Sequence, residues 1–282
     1  MFSTSQGTRT RERRGFTTAG NGRSHGTSRS ESQFEAFDLS NATRQKAPLQ
    51  TLDSGSRRVF RWERQLQASF QTNADRSLWC RLPRVSLELT FRESTCSNGR
   101  ADLVWAGIAA HWPRRRHKEV SLLLRQPTCS RILAELKPRA ARTEAFLARR
   151  AGVTQPTFRH WMRRLLASAL ARKTGRARYI LGSSFPGTEV EFCAFEFKLN
   201  DWKRAFCQAL RYRTFSHRVF VVMPVNMLDN LTRHVDRFKR FNVGLIAHCD
   251  DGTSETLMRP KKRLPTSRPN FIRALGQLIA AD

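Results

Sequence analysis

Acidic side chains are scarce in this chain. Asp and Glu number 23 against 51 Lys and Arg, a net charge of +28 over 282 residues. An excess of that size argues for a polyanion partner, most simply nucleic acid. Long apolar runs are also missing. No stretch approaches 18 apolar residues, so no membrane span and no membrane partner is expected. The six cysteines, Cys80, Cys96, Cys129, Cys193, Cys207 and Cys249, form no Cys-x-x-Cys pair, which leaves a zinc site little to build on. No secretory signal precedes them. They read as reduced thiols of an intracellular protein, in cytoplasm or nucleoid, several of them packed as small apolar residues. There is no phosphate-cradling Gly loop, no paired metal-binding His and no Ser nucleophile elbow.

What is present changes along the chain. Residues 1–55 are rich in Ser, Thr, Gly and Arg and poor in apolar residues. They bury too little surface to offset chain entropy, so a disordered basic arm is expected there. The first 30 residues would pass a loose transit-peptide test, but they lack a clear amphipathic helix, and that reading is set aside. From Arg57 the character shifts. Val59–Thr72 reads as a helix with Phe60, Leu66 and Phe70 on its apolar side and Glu63 within it. Val85–Phe91 reads as a strand, Asn98-Gly99 as a hairpin signal, and Arg100–Trp105 as a second strand that begins near Asp102.

The stretch 188–224 is the most informative. Val190–Leu199 reads as a strand, and its period of two puts Ala194, Glu196 and Lys198 on one face. Cys193, Phe195, Phe197 and Leu199 share the other. A Glu and a Lys are thus held side by side at the end of an apolar strand. Asn200 is placed to cap the next helix, with Asp201 in its first turn. That helix carries Trp202, Ala205, Phe206, Ala209 and Leu210 at helical spacing, with Gln208 midway, and His217–Pro224 follows as a buried strand.

A strand ending in Glu-x-Lys, a helix with a Gln midway and a Val-rich strand together resemble the PD-(D/E)XK nuclease superfamily. The resemblance covers about 60–104 and 188–250, and its specificity lies in the strand–helix–strand context. It implies a restriction-endonuclease-like α/β fold, a mixed sheet flanked by helices, binding Mg2+ (or Mn2+). It implies Asp102 and Glu196 as metal ligands, Lys198 as the residue that positions the attacking water, and Gln208 and Glu63 as accessories. The alternative for Asp102 is an Asp closing a hairpin turn. The alternative for Glu63 is a solvated helix carboxylate. Glu88 and Glu93 are weaker candidates on the preceding strand, and Glu189 or Glu191 would come into consideration if Asp102 pointed away.

Asp102 and Glu196 stand 94 positions apart, where the family pattern has a short hairpin, so something is inserted. Thr128–Leu136 and Thr143–Ala151 read as helices, Gly152-Val153-Thr154 as a tight turn, and Pro156 opens a third helix. On it Phe158, Trp161, Met162, Leu165 and Leu166 form an apolar stripe that marks Phe158 and Trp161 as core. A basic hairpin runs from Leu170 to Leu181. This order resembles the winged helix-turn-helix family over about 128–182. The segment holds 13 basic and 2 acidic residues, a net +11. Gln155, Thr157, Arg159, His160, Arg163 and Arg164 lie off the stripe, where the resemblance places a major-groove reader. Arg172, Lys173 and Arg176 lie on the wing beside phosphates. The alternative is a small helical insert with a solvated basic face.

The expected organisation is therefore a basic arm over 1–55, a nuclease-like domain over 56–110 and 186–258, and a winged insertion over 120–182. A basic linker and terminal helix follow over 259–282. The implied function is metal-dependent hydrolysis of DNA phosphodiester bonds. A second reading is a non-catalytic DNA-binding regulator whose sheet domain serves dimerisation or docking of a partner protein, with Glu196–Lys198 as a plain ion pair. A third is an RNA-binding protein that uses the basic arm.

Overall fold

The computed structural model describes residues 60–74, 85–96, 99–109, 118–187 and 190–281. All of these fall within one compact unit, Ser54–Asp282. The expectations for 1–55, for Cys80 and for Glu189 lie outside the described residues.

The sheet begins as a hairpin. β1 (Val85–Cys96) pairs antiparallel with β2 (Gly99–Ala109), and β2 pairs antiparallel with β6 (Val190–Phe197). From β6 the chain crosses by α6 (Trp202–Tyr212) to β7 (Arg218–Pro224), parallel to β6. A short 3₁₀ turn, Val225–Met227, and α7 (Leu228–Phe241) then lead to β8 (Gly244–His248), parallel to β7. β9 (Ser254–Met258) folds back antiparallel on β8. The result is a mixed six-stranded sheet in the order β1-β2-β6-β7-β8-β9.

Both faces of this sheet are covered, which is why β6 reads VEFCAFEF with every residue buried and no clean polar alternation. On one face Leu103, Trp105, Phe195, Phe197, Phe220 and Ile246 enclose Leu66 and Phe70 of α1 (Glu63–Asn73). The Phe70 ring stacks on Trp105 at 5.5 Å between centroids. On the other face Val104, Ala106, Phe192, Ala194, Val221 and Leu245 meet α6 and α7 through Ala205, Phe206, Ala209, Leu231 and Phe238. The same core runs on without a break into the inserted segment and α8 (Arg268–Ala281).

The insertion between β2 and β6 has α2 (Lys118–Arg125), α3 (Pro127–Glu135), β3 (Arg142–Thr143), α4 (Glu144–Ala151), α5 (Gln155–Ala167), β4 (Ala171–Gly175) and β5 (Arg178–Leu181). The strands form a small sheet in the order β3-β5-β4. Local chemistry sets the helix ends. The Thr143 hydroxyl accepts the Phe146 N–H at the start of α4, and Gly152, at φ 63°, stops α4 in the left-handed conformation. The Thr154 hydroxyl accepts the Thr157 N–H, with Pro156 in the first turn of α5.

Several boundaries differ from the expectation. α1 starts at Glu63, because the Gln65 side chain turns back to accept the Arg61 and Trp62 N–H groups. Phe60 therefore precedes the helix and stacks on His248. Asp201, rather than Asn200, caps α6, accepting the Arg204 N–H at 2.9 Å. β3 and β9 are too short to show a clear period, and α2 lies outside the expectation although Val120, Leu123 and Leu124 give it a buried face. Lys198 and Leu199 lie just past β6.

Candidate active site

The cluster forms where β2 and β6 lie side by side. Their register pairs Leu103 with Phe195, and one further step puts Asp102 across from Glu196. Residues directly opposite share a face. Two carboxylates separated by 94 positions in sequence thus become cross-strand neighbours. Asp102 is fixed twice: its Oδ2 accepts the Phe197 N–H at 2.9 Å, and its carbonyl accepts the Gln67 amide at 2.8 Å. Gln67 lies one turn beyond Glu63 on α1, so that helix ties itself to the strand carrying Asp102.

Glu196 is fully buried. The Tyr212 hydroxyl at the end of α6 donates to Glu196 Oε2. Lys198 Nζ lies 3.2 Å from Glu196 Oε1, at ion-pair distance, yet that oxygen accepts no hydrogen bond of good geometry. The same ammonium donates to Glu63 Oε2 at 3.1 Å and to the Phe197 carbonyl at 3.0 Å. Gln208 lies one turn before Tyr212 on α6, and its buried Oε1 has no hydrogen-bond partner among the described residues.

The electrostatics follow from burial. Burial pushes Glu196 up to about 7, and the neighbouring Asp102 carboxylate adds to the rise against the opposing pull of Tyr212 and Lys198. Asp102 is also raised by burial, opposed by the Phe197 N–H. For Lys198, burial works against the charge, but Glu196 and Glu63 outweigh it and hold the ammonium above its ordinary value. Lys198 is a fixed cation at neutral pH.

Of the residues singled out from sequence, Asp102, Glu196, Lys198 and Glu63 converge through direct contacts, and Gln208 flanks them on α6. Glu88 and Glu93 belong to β1, where the register puts Glu93 level with Asp102. Glu191 is engaged elsewhere: it is buried between Arg218 at 2.8 Å and Lys262 at 2.9 Å, and those cations hold it below the usual carboxylate range despite its burial. Sequence reasoning does not reach Tyr212 or Gln67. Tyr212 stands four residues after Gln208, a spacing that puts both on one helix face, and that is the available signal. Among the described residues no group of three His, Cys, Asp or Glu side chains is placed to hold a metal ion. The donors present are all oxygens, a set that suits Mg2+ or Mn2+ and not a soft metal.

The basic surface lies on the insertion. Gln155, Arg159, His160, Arg163, Arg172, Lys173 and Arg176 are exposed, and Thr157 and Arg164 are half-buried. The two acids of 128–182 are already paired, Glu135 with Arg142 and Arg150, and Glu144 with Arg159 at 2.6 Å. Arg163, Arg172, Lys173 and Arg176 have no carboxylate partner among the described residues, so their charge faces solvent. Phe158 is core, as its place on the stripe predicts. Trp161 is only half-buried and takes the Arg164 guanidinium over its ring at 5.3 Å. Compared with known proteins, the chain matches no family model, no curated protein and no solved structure.

Proposed function

We propose that the protein is a DNA-binding, metal-dependent endonuclease of the PD-(D/E)XK type, whose duplex contacts come from a winged-helix insertion. One observation carries the reading. Asp102, Glu196 and Lys198, drawn from distant parts of the chain, meet at the end of two paired strands, with α1 and α6 bracing them from opposite faces. A plain ion pair does not need a second buried carboxylate beside it, because that carboxylate raises the cost of the first.

Asp102 and Glu196 would hold Mg2+, which usually takes one or two carboxylates and keeps waters and substrate phosphate as its other ligands. The bound ion supplies Lewis acidity toward the scissile phosphate and its water. The chain's own residues do the rest. Lys198 stays protonated, so it serves as a donor that orients water and stabilises charge on the phosphate, not as a general base. Glu63 and the Phe197 carbonyl fix the direction of its N–H groups. Tyr212 keeps Glu196 from turning into the protein. The free Gln208 oxygen is placed to accept a hydrogen bond from water. In the net reaction a water oxygen bonds to phosphorus, one P–O ester bond breaks, and the departing alkoxide takes up a proton.

The test is nicking of labelled duplex DNA, single-stranded DNA and RNA, with and without Mg2+ or Mn2+. Metal-dependent cutting lost in Asp102→Ala, Glu196→Ala and Lys198→Ala supports the assignment, each loss being on the order of a hundredfold or more. A second reading, a non-catalytic DNA-binding regulator, is favoured because no three acidic, His or Cys side chains among the described residues are placed to hold a metal ion, and because ion pairs close the cluster. On that reading the sheet docks a second copy or a partner protein. Tight duplex binding with no cutting by the wild type on any nucleic acid would select it.

A further inference from the structure

A separate cavity opens between α2, α5 and α8. It measures about 450 Å3 and is lined by Leu122, Leu123, Arg125 and Gln126 at the end of α2, Trp161 and Arg164 on α5, and Arg273 and Gln277 on α8. None of these elements carries a residue of the carboxylate cluster. The volume falls in the range of small-molecule sites.

Its chemistry is specific. Three arginines line one cavity, and among the described residues no acid lines it. Arg125 and Arg273 have no carboxylate partner among the described residues. Arg164 has only Glu119 at 3.7 Å, an exposed pair of the kind that contributes little. Beside the arginines lies an apolar surface formed by half-buried Trp161, with the Arg164 guanidinium over its ring at 5.3 Å, and by Leu122, which is 52% exposed. A phosphate suits the guanidinium forks, which bind it bidentately. A planar ring suits the apolar surface that Trp161 and Leu122 present beside that guanidinium, and the Gln126 amide can meet its polar edge. The cavity is held open by helix packing and not by a loop. Gly276 lets α8 close on α2, and the Ser121 hydroxyl donates to the Gly276 carbonyl at 2.8 Å.

We propose that this cavity binds a single nucleotide unit, its phosphate on Arg125, Arg164 and Arg273 and its base against Trp161. The unit comes either from a free mononucleotide or from the 5′-phosphorylated end of a strand. The inference stands whether or not the carboxylate cluster cuts DNA.

The test uses the full chain without metal, so that no cleavage intervenes. Binding of AMP, CMP, adenosine and inorganic phosphate is measured by calorimetry, together with short single strands carrying a 5′-phosphate or a 5′-hydroxyl. Saturable AMP binding, at least tenfold tighter than inorganic phosphate and than adenosine, is expected. Arg125→Gln with Arg273→Gln should weaken AMP at least tenfold and leave adenosine unchanged. Trp161→Leu should weaken AMP and adenosine alike. Unchanged thermal midpoints in the arginine variants show that the fold is intact if Trp161→Leu proves unstable. A 5′-phosphate preference lost in the arginine variants assigns the strand end, and AMP binding without that preference assigns the free nucleotide. AMP bound no better than inorganic phosphate, or bound equally by the arginine variants, overturns the proposal.

Discussion

Replacing Glu196 by Gln should make the metal-free protein more stable at neutral and alkaline pH. The side chain is fully buried, and burial together with Asp102 lifts it from an ordinary 4.5 to about 7. That net shift already includes the favourable effects of Tyr212 and Lys198. The folded chain keeps the Glu196 proton up to about 7, while the unfolded chain releases it near 4.5. Wild-type stability therefore falls as pH rises through that window and is flat above it. At about 1.4 kcal/mol per unit, the ionised form costs about 3 kcal/mol at pH 8. Gln removes the charge and keeps the shape. Its oxygen can accept from Tyr212 while its amide N–H groups turn toward the Asp102 carboxylate, and Lys198 retains Glu63 and the Phe197 carbonyl. Thermal unfolding without metal should show the variant melting roughly 5–10 °C higher at pH 8, with the difference almost gone at pH 5. Mg2+ should stabilise the wild type and have little effect on the variant. A variant less stable than wild type at pH 8 without metal would mean that the Lys198 pair outweighs desolvation, and the argument for a primed carboxylate pair would collapse.

Tyr212→Phe removes the donor to Glu196 Oε2, so the Glu196 pKa should climb further, and any pH–rate profile for cutting should move its acid limb upward. His217 is buried with its Nδ1 accepting the Phe192 N–H, and burial aided by Lys262 holds it down to about 4 from 6.5. The unfolded chain takes up that proton first, so stability should be lost as pH falls from 6.5 towards 4, by about 3 kcal/mol from this group. Urea midpoints at pH 7 and pH 4.5 measure the loss, and an unchanged midpoint would contradict it. Gly276→Ala would bring a Cβ within 2.9 Å of the Arg125 backbone nitrogen and the Leu124 Cβ. Chemical denaturation should therefore show a loss of about 1–3 kcal/mol, since backbone cannot give way cheaply. Arg172→Ala with Lys173→Ala should weaken duplex binding uniformly across sequences and lower the salt slope by about one for each phosphate no longer neutralised.

The strands and helices that position the site were legible because each obeys a local rule. β6 announces itself by Phe and Val, and α6 by its apolar stripe. α4 and α5 show themselves through Thr caps, Gly152 and Pro156. Glu196 and Lys198 were legible for the same reason, since a spacing of two across the end of a strand is local geometry. What was not legible is long-range. Nothing near Tyr212 says that its hydroxyl ends on a carboxylate sixteen residues earlier, because that contact depends on how closely α6 lies on the sheet. Trp161 shows the limit of a stripe. Helical period assigns it to the core, yet the burial of a stripe residue depends on what packs above it. Above α5 lie α2 and α8, which leave a cavity and not a filled layer.

Asp102 is the instructive case between these extremes. Its strand was legible and its partner was not, because pairing across 94 positions is a property of the sheet and not of either strand. What fixes it is the run of pairs behind it. Leu103 to Ile108 on β2 lies against Phe195 to Val190 on β6, six successive pairs without a bulge. A slip of one residue would carry Leu103, Trp105, Phe195 and Phe197 off the α1 face and expose their burial to the wrong helix. The aromatic packing around Phe70 thus enforces a register that the carboxylates, which repel each other, would not choose. The hydrophobic layer on the α1 face holds together the charged pair on the α6 face. Cutting a large side chain in that layer should therefore disturb the site at a distance. Phe195→Ala removes the ring that contacts Phe70, Trp105 and Phe220 at once, at centroid separations of 5.4, 4.7 and 5.0 Å. Its expected cost is about 3–5 kcal/mol. Metal affinity should fall in step with that stability loss, while affinity for duplex DNA, which the proposed function assigns to the insertion, should fall much less. Calorimetric titration of Mg2+ and a DNA-binding assay on the same variant separate the two. Metal affinity unaffected in a folded Phe195→Ala chain would show that the carboxylates hold their own register.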